Sequence, residues 1–398
     1  MTTLPPKPAA LDDALSDELR RIRAHGRERS LRWVGRRRGV AVVTARGPAI
    51  DFSSNDYLGL ASDARLADAA ARAIREHGIG AAASRLIAGD HPEHEALERD
   101  IAAFFGAERA LTFSSGYAAN TGIIPALVQR GDAIFADALN HASLIDGCRL
   151  SRATVHVYAH TDAAALAGLL DQHRGAARRA LIVSDGLFSM DGDRAPVADL
   201  VDLARRFDAW TYLDDAHAAG VLGDDGRGTA SAAGCAGGVD VTIGTLGKAF
   251  GAAGAFVHGS GTLVQYLLNS ARSFIFSTAM LPAQAAAARA ALGIASQDPA
   301  LRDRLWTNTR HLGAALVRRG LAGHDTDISS PIIPVPVGEE ARTMRVGAAL
   351  AERGYLVGAV RPPTVPVGGS RLRVTVSAAH TTDHIDGLAD ALAAALRA

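Results

Sequence analysis

Thr245-Leu246-Gly247-Lys248-Ala249-Phe250-Gly251 comes just after the apolar run Val239-Asp240-Val241-Thr242-Ile243 and sets a primary amine among glycines at the end of an expected strand. Apolar and small neighbours strip water from a lysine, disfavour its ammonium form and leave a neutral amine able to attack an aldehyde. The small residues also let a flat ring lie against the backbone. Lysines in Gly-rich loops occur on ordinary surfaces and in phosphate loops as well. A Walker loop is excluded, because Ser or Thr should follow its lysine and Ala249 follows Lys248. A dinucleotide fingerprint fails too: Gly78-Ile79-Gly80 runs into alanines with no glycine at the required offset.

Outward from this loop, short apolar runs alternate with longer amphipathic stretches: Ala110-Leu111-Thr112-Phe113, Ala133-Ile134-Phe135, Val155-His156-Val157-Tyr158, Leu181-Ile182-Val183 and Trp210-Thr211-Tyr212-Leu213. Such alternation predicts crossover helices and an α/β fold with a mostly parallel central sheet. Chemistry in sheets of this kind gathers outside the carboxyl ends of the strands. After a helical stretch from 282 to 319 the pattern changes to Ile332-Ile333-Pro334-Val335 and Leu372-Arg373-Val374-Thr375-Val376, closed by a helix from Asp383. This predicts a smaller α+β C-terminal domain. At the other end Leu11, Leu15, Leu19 and Ile22 stand at helical spacing, so an amphipathic helix followed by a basic segment is expected. The division is an N-terminal helical arm over 1–50, a large domain over 51–290 and a small one over 291–398.

The chain has 398 residues, more than one hydrophobic core usually serves. Its 42 basic and 42 acidic residues cancel, which argues against a nucleic-acid or membrane-surface partner and for a small molecule. Cys148 and Cys235 are read as reduced, buried thiols of a cytoplasmic protein. The first eight residues lack the pattern of an export signal, and the alanine-rich stretch from 282 to 295 is broken by Arg289, so a soluble, unexported chain is expected.

Polar groups sit at four strand ends. Asp214-Asp215-Ala216-His217 follows one run directly, and its acid and imidazole could cap a loop, bind a metal or meet a protonated ring nitrogen. A metal is disfavoured, since no second His or Cys stands at ligand spacing. Phe113-Ser114-Ser115-Gly116-Tyr117-Ala118 reads as strand, loop and helix start, which can hold an anion on free N–H groups or be ordinary capping. His141, in Asp137-Ala138-Leu139-Asn140-His141-Ala142-Ser143, offers a flat ring. Ser189, in Phe188-Ser189-Met190-Asp191-Gly192-Asp193, offers a hydroxyl.

A phosphate binder, a flat stacker, a carboxylate for a ring nitrogen and an aldehyde-capturing lysine are the parts needed to hold pyridoxal 5'-phosphate. The chain resembles the α-oxoamine synthases among the fold-type I pyridoxal phosphate enzymes over nearly its whole length. The resemblance rests on Asn55-Asp56-Tyr57-Leu58-Gly59-Leu60, Asn140-His141-Ala142-Ser143-Leu144, Phe188-Ser189-Met190-Asp191-Gly192-Asp193, Asp214-Asp215-Ala216-His217, Gly244-Thr245-Leu246-Gly247-Lys248 and Arg361-Pro362-Pro363-Thr364-Val365-Pro366. It implies that Lys248 binds the cofactor covalently, that Asp214 pairs with the pyridine nitrogen, that His141 stacks on the ring, and that Ser189 and His217 lie near its 3-hydroxyl. Gly116, Tyr117 and Thr245 would hold the phosphate, joined by Ser277 and Thr278 from a neighbouring subunit of a homodimer. Arg361 would take the amino-acid carboxylate, Thr364 would assist, and Arg29 would touch the acyl substrate. One departure is Gly80-Ala81-Ala82-Ala83-Ser84-Arg85, which replaces a Gly-Ser-rich version common in the family.

The Arg361–Pro366 run draws the resemblance toward the biotin-pathway branch. That implies decarboxylative condensation of L-alanine with a pimeloyl thioester, on CoA or a carrier protein, and release of carbon dioxide and the thiol. Glycine acyl transfer would use the same core residues, and a cofactor-binding protein without catalysis is the reading from a different class.

Overall fold

The computed structural model describes residues 10–323 and 328–397. The start of the chain, where no export signal is expected, lies outside them. The site depends on a seven-stranded sheet of β4 (Arg109–Phe113), β5 (Ala133–Asp137), β6 (Thr154–Tyr158), β7 (Ala180–Asp185), β8 (Trp210–Asp214), β9 (Val241–Thr245) and β10 (Ala255–Gly259), numbered after the three N-terminal strands below. Its order is β4-β10-β9-β8-β7-β5-β6. The pairs from β9 to β6 are parallel, and β10 alone runs against both of its neighbours. Both faces are covered, which is why β5 and β7 are buried at every position and read as unbroken apolar runs.

Alternate residues serve opposite faces. Ile134 and Ala136 join Leu181, Val183 and Ile243 in a core with the helices Gly116–Leu127 and Ala142–Ser151. Ala133 and Phe135 join Ile182 and Leu213 in another, under the helices Ala163–His173 and Val197–Arg206. Each fully buried Leu, Ile or Phe stabilises the fold by about 1.5–3 kcal/mol. Register then sets the chemistry: Asp185 pairs with Asp214 across β7 and β8, so two carboxylates emerge side by side where these strands end.

The basic stretch after the N-terminal helix, expected as part of a helical arm, is strand. β1 (Val34–Arg38), β2 (Ala41–Thr44) and β3 (Gly47–Asp51) form an antiparallel meander. The pairing is supported by an ion pair from Arg37 to buried Asp51 (2.7 Å) in place of an apolar stripe. The helix itself, Ala10–Ala24, forms as expected but buries none of its residues. β11 (Ile332–Gly338), β13 (Gly358–Val360) and β14 (Ser370–Thr375) make an antiparallel sheet in the order β11-β14-β13, while β12 (Tyr355–Leu356) joins β3 in parallel. Cys148 is buried and Cys235 partly so, both as free thiols. Among the described residues no helix is long and apolar enough to cross a membrane.

Candidate active site

Lys248 stands three residues beyond the end of β9, in a tight return to β10 closed by Leu246 N–H to Gly254 O (2.9 Å), Ala252 N–H to Leu246 O (2.8 Å) and Gly251 N–H to Lys248 O (2.9 Å). Gly251 has φ 61°, and a Cβ there would lie 2.4 Å from Ala61 N, so the return sits directly on the backbone of residues 60–61. Burial lowers the pKa of the Lys248 amine. Asp214 and Asp185 pull the other way, and Arg373 reinforces the lowering. Burial thus acts on this amine in the direction expected from its apolar and small neighbours.

Asp214 is 4% exposed at the end of β8. Among the described residues its oxygens accept only from neutral donors, Asn120 Nδ2 (2.6 Å) and Ala216 N–H (2.9 Å). Asn120 is aimed by the Tyr212 hydroxyl, which donates to its Oδ1 (2.7 Å), and the amide also reaches Ser143 Oγ (2.9 Å). Ser143 Oγ in turn lies 2.7 Å from His141 Nδ1. Asp185 accepts the His141 N–H (2.6 Å), while burial, and next the charge of Asp214, push its carboxyl well above the usual range. Of this carboxylate pair, Asp185 is the one whose charged form is disfavoured by burial and by its neighbour.

His217 is buried, with Nδ1 2.7 Å from the Tyr57 hydroxyl. Burial first, and then the charges of Lys248 and Arg373, hold its imidazole neutral. Thr245 Oγ1 donates to Ala216 O (3.1 Å), tying the end of β9 to the Asp214–His217 loop. A Cβ on Gly116 would stand 3.1 Å from Thr245 Cγ2, so the start of the helix Gly116–Leu127 lies against the end of β9. Ser115 Oγ caps that helix by accepting from Ala118 N–H (3.1 Å), which leaves the Gly116 and Tyr117 N–H groups without an acceptor among the described residues. Such a helix start favours a phosphate.

Ser189, half-buried, offers its carbonyl to Arg373 Nε. Arg373 was not singled out from the sequence. It is buried, and its other contacts are Asn55 Oδ1 (3.0 Å) and the Tyr57 hydroxyl (3.5 Å), so among the described residues its guanidinium meets only neutral acceptors. Its field bears on both Lys248 and His217. Arg361, expected to bind a carboxylate, donates instead to Gly26 O and to Glu28 O (2.7 Å). Arg29, the next residue, is exposed, as is Thr364. Ser277 and Thr278 stand on the turn after the short helix Arg272–Ile275, with no hydrogen bond to the Lys248 group within the described residues.

A family model described as aminotransferase class I and II matches residues 48–392. The 8-amino-7-oxononanoate synthase of Anaeromyxobacter dehalogenans (strain 2CP-1 / ATCC BAA-258) is 50% identical over 384 residues, 96% of each chain. A serine palmitoyltransferase from S. paucimobilis with bound PLP–myriocin superposes with a TM-score of 0.90 at 28% identity, covering 98% of this chain and 99% of that one. The 8-amino-7-oxononanoate synthase of Francisella tularensis superposes with a TM-score of 0.74 at 29% identity, covering 88% and 98%.

Proposed function

The chain belongs to the aminotransferase class I and II family, and from that premise we propose that it is a pyridoxal 5'-phosphate-dependent acyltransferase of biotin biosynthesis. It condenses L-alanine with pimeloyl-CoA, or a pimeloyl carrier protein, to give 8-amino-7-oxononanoate, carbon dioxide and the free thiol. The reaction class is carried by one observation: a dehydrated Lys248 amine faces a buried Asp214 carboxylate that has no cationic partner among the described residues. Such a carboxylate fits a protonated ring nitrogen, and the free N–H groups at Gly116 and Tyr117 fit a phosphate. Bound there, the cofactor supplies an aldehyde for amine capture and a ring that withdraws electrons from the substrate Cα.

Lys248 would hold the cofactor covalently, and its amine, its ammonium form disfavoured by burial, is the base that would take the Cα proton of alanine. Asp214, held in place by Asn120 and Ala216, keeps the ring nitrogen protonated. His141 would cover one ring face, and Ser189 and His217 would address the 3-hydroxyl. Gly116, Tyr117 and Thr245 hold the phosphate. The amino-acid carboxylate goes to Arg373, whose buried guanidinium meets only neutral acceptors among the described residues, in preference to Arg361, which already donates to Gly26 and Glu28. Arg361, bonded to Gly26 and Glu28 just before exposed Arg29, and exposed Thr364 are assigned to the acyl thioester. The working form is a cytoplasmic homodimer in which Ser277 and Thr278 complete the neighbouring phosphate site, with residues 51–290 as its large domain and 291–398 as its small one.

Thiol release from pimeloyl-CoA, measured with single amino acids, tests the reading. A pocket for one methyl group favours alanine over glycine by roughly 10- to 200-fold in kcat/KM. Equal or better turnover of glycine moves the chain to the glycine acyltransferases.

A further inference from the structure

His160, just beyond β6, has a carboxylate at each ring nitrogen: Nδ1 is 2.9 Å from Asp137 Oδ1, and Nε2 is 2.7 Å from Asp193 Oδ2. A neutral imidazole has one N–H, so both bonds form together only when the ring is protonated. Asp137 ends β5 and shapes the loop that delivers His141. Its Oδ1 also accepts Leu139 N–H (2.8 Å), its Oδ2 accepts Thr161 N–H (2.8 Å), and its carbonyl accepts Asn140 N–H (3.3 Å). Asp193 closes the turn that carries Ser189: Phe188 N–H donates to Asp193 O and Gly192 N–H to Phe188 O, both at 2.9 Å. Phe188 also meets the His160 ring edge-on, with centroids 4.4 Å apart.

We propose that the His160 imidazolium is a positioning group that ties the His141 loop to the Ser189 turn and so holds two walls of the cofactor pocket in fixed relation. The inference rests on the functional reading above, since it is that reading which gives His141 and Ser189 their roles. Burial opposes the charge on His160, the two carboxylates overcome it, and the pKa is raised above 6.5. The facing groups are Asp137 from β5 and Asp193 from the turn. Around Asp137 stand Asp185 from β7 and the buried Tyr158 of β6. The tie is complete below the folded-state pKa. As pH rises through that value, one of its two bonds is lost.

The test uses the full-length, cofactor-loaded protein and follows amide hydrogen exchange in peptides covering 138–141 and 188–193, with the helix Pro282–Gln297 as internal control. In the parent, protection in both peptides falls together with rising pH, after correction for the intrinsic rate. His160→Gln loosens both peptides at about pH 6, leaves the control unchanged and lowers kcat/KM for thiol release by up to about 100-fold. Asp193→Asn keeps an acceptor but removes a charge, so the pH midpoint of protection moves down. Loosening of only one peptide or neither, or an unmoved midpoint in Asp193→Asn, overturns the proposal. Absence of thiol release in the parent, with the exchange pattern intact, overturns the functional reading and leaves the tie standing.

Discussion

At His380 two hydrogen bonds choose the tautomer. Ser377 N–H donates to Nδ1 (2.9 Å), so the proton sits on Nε2 and donates to Asp51 O (3.2 Å), while the ring stacks on Phe52 with centroids 3.8 Å apart. Burial, and next the charge of His384, push its pKa from 6.5 down to about 3. The unfolded chain therefore binds a proton that the folded chain refuses. The stability from this neutral site is complete above pH 6.5 and is lost as pH falls toward 3, by up to about 1.4 kcal/mol per unit. Urea unfolding of His380→Gln should show a flatter acid limb than the parent.

The two arginines provide a sharper residue-level check. Arg373→Ala should raise KM for alanine and for glycine together by about 10- to 100-fold, the range expected for a lost hydrogen bond to a charged group. Arg361→Ala should leave the amino-acid KM unaltered, and the reverse pattern in steady-state kinetics would restore the carboxylate to Arg361. Asp214 was legible as a candidate because it follows an apolar run directly, where a parallel strand must end, and His217 and Lys248 because each stands three residues beyond such a strand end, Asp214 and Thr245. Arg373 was not, because a charge between Leu372 and Val374 looks like the wet side of an alternating strand. β14 is covered on both sides, so that argument fails there. His160 was hidden for a different reason: its meaning lies in two partners, 23 residues before it and 33 after.

Among the elements, β9 and β10 are pressed together at Gly244. Gly244 pairs with Phe256, and a Cβ on Gly244 would stand 2.1 Å from the phenyl ring. Gly244→Ala should cost about 1–3 kcal/mol by overpacking and disturb the strand that leads to Lys248. Phe256→Leu in the same chain should recover part of the loss, and additive effects in a double-mutant cycle would contradict the contact. The five strands from β4 to β8 were legible because each is an apolar run between amphipathic stretches. β1 was not, since Arg36, Arg37 and Arg38 carry no apolar stripe and pairing holds them extended. β12 and β13, of two and three residues, are too short to show any period. The alanines at 81–83 also differ from the glycine-rich version expected of the family, and Ala82 adopts φ 62°, the left-handed region where an L side chain costs about 1–2 kcal/mol.

For the whole molecule, the segment after the helix Arg272–Ile275 leaves Phe276 70% exposed beside Ser277 and Thr278. A large apolar ring next to two hydroxyls is suited to a partner surface, and it supports the proposed homodimer. Phe276→Asp should shift sedimentation toward monomer and weaken cofactor retention in the same protein. A fully active, cofactor-loaded monomer would refute the shared phosphate site.

The parallel pair of β3 with β12 joins Ile50 to Tyr355 and Asp51 to Leu356. The two strands leave the ribosome about 300 residues apart, which at about 5–20 residues per second is roughly 15–60 s. Throughout that interval the outer edge of β3 is an unclaimed row of amide and carbonyl groups, open to the β3 of any nascent neighbour. The meander is thus made early and its outer edge closed late, and a chain that stops short of Tyr355 leaves that edge open permanently.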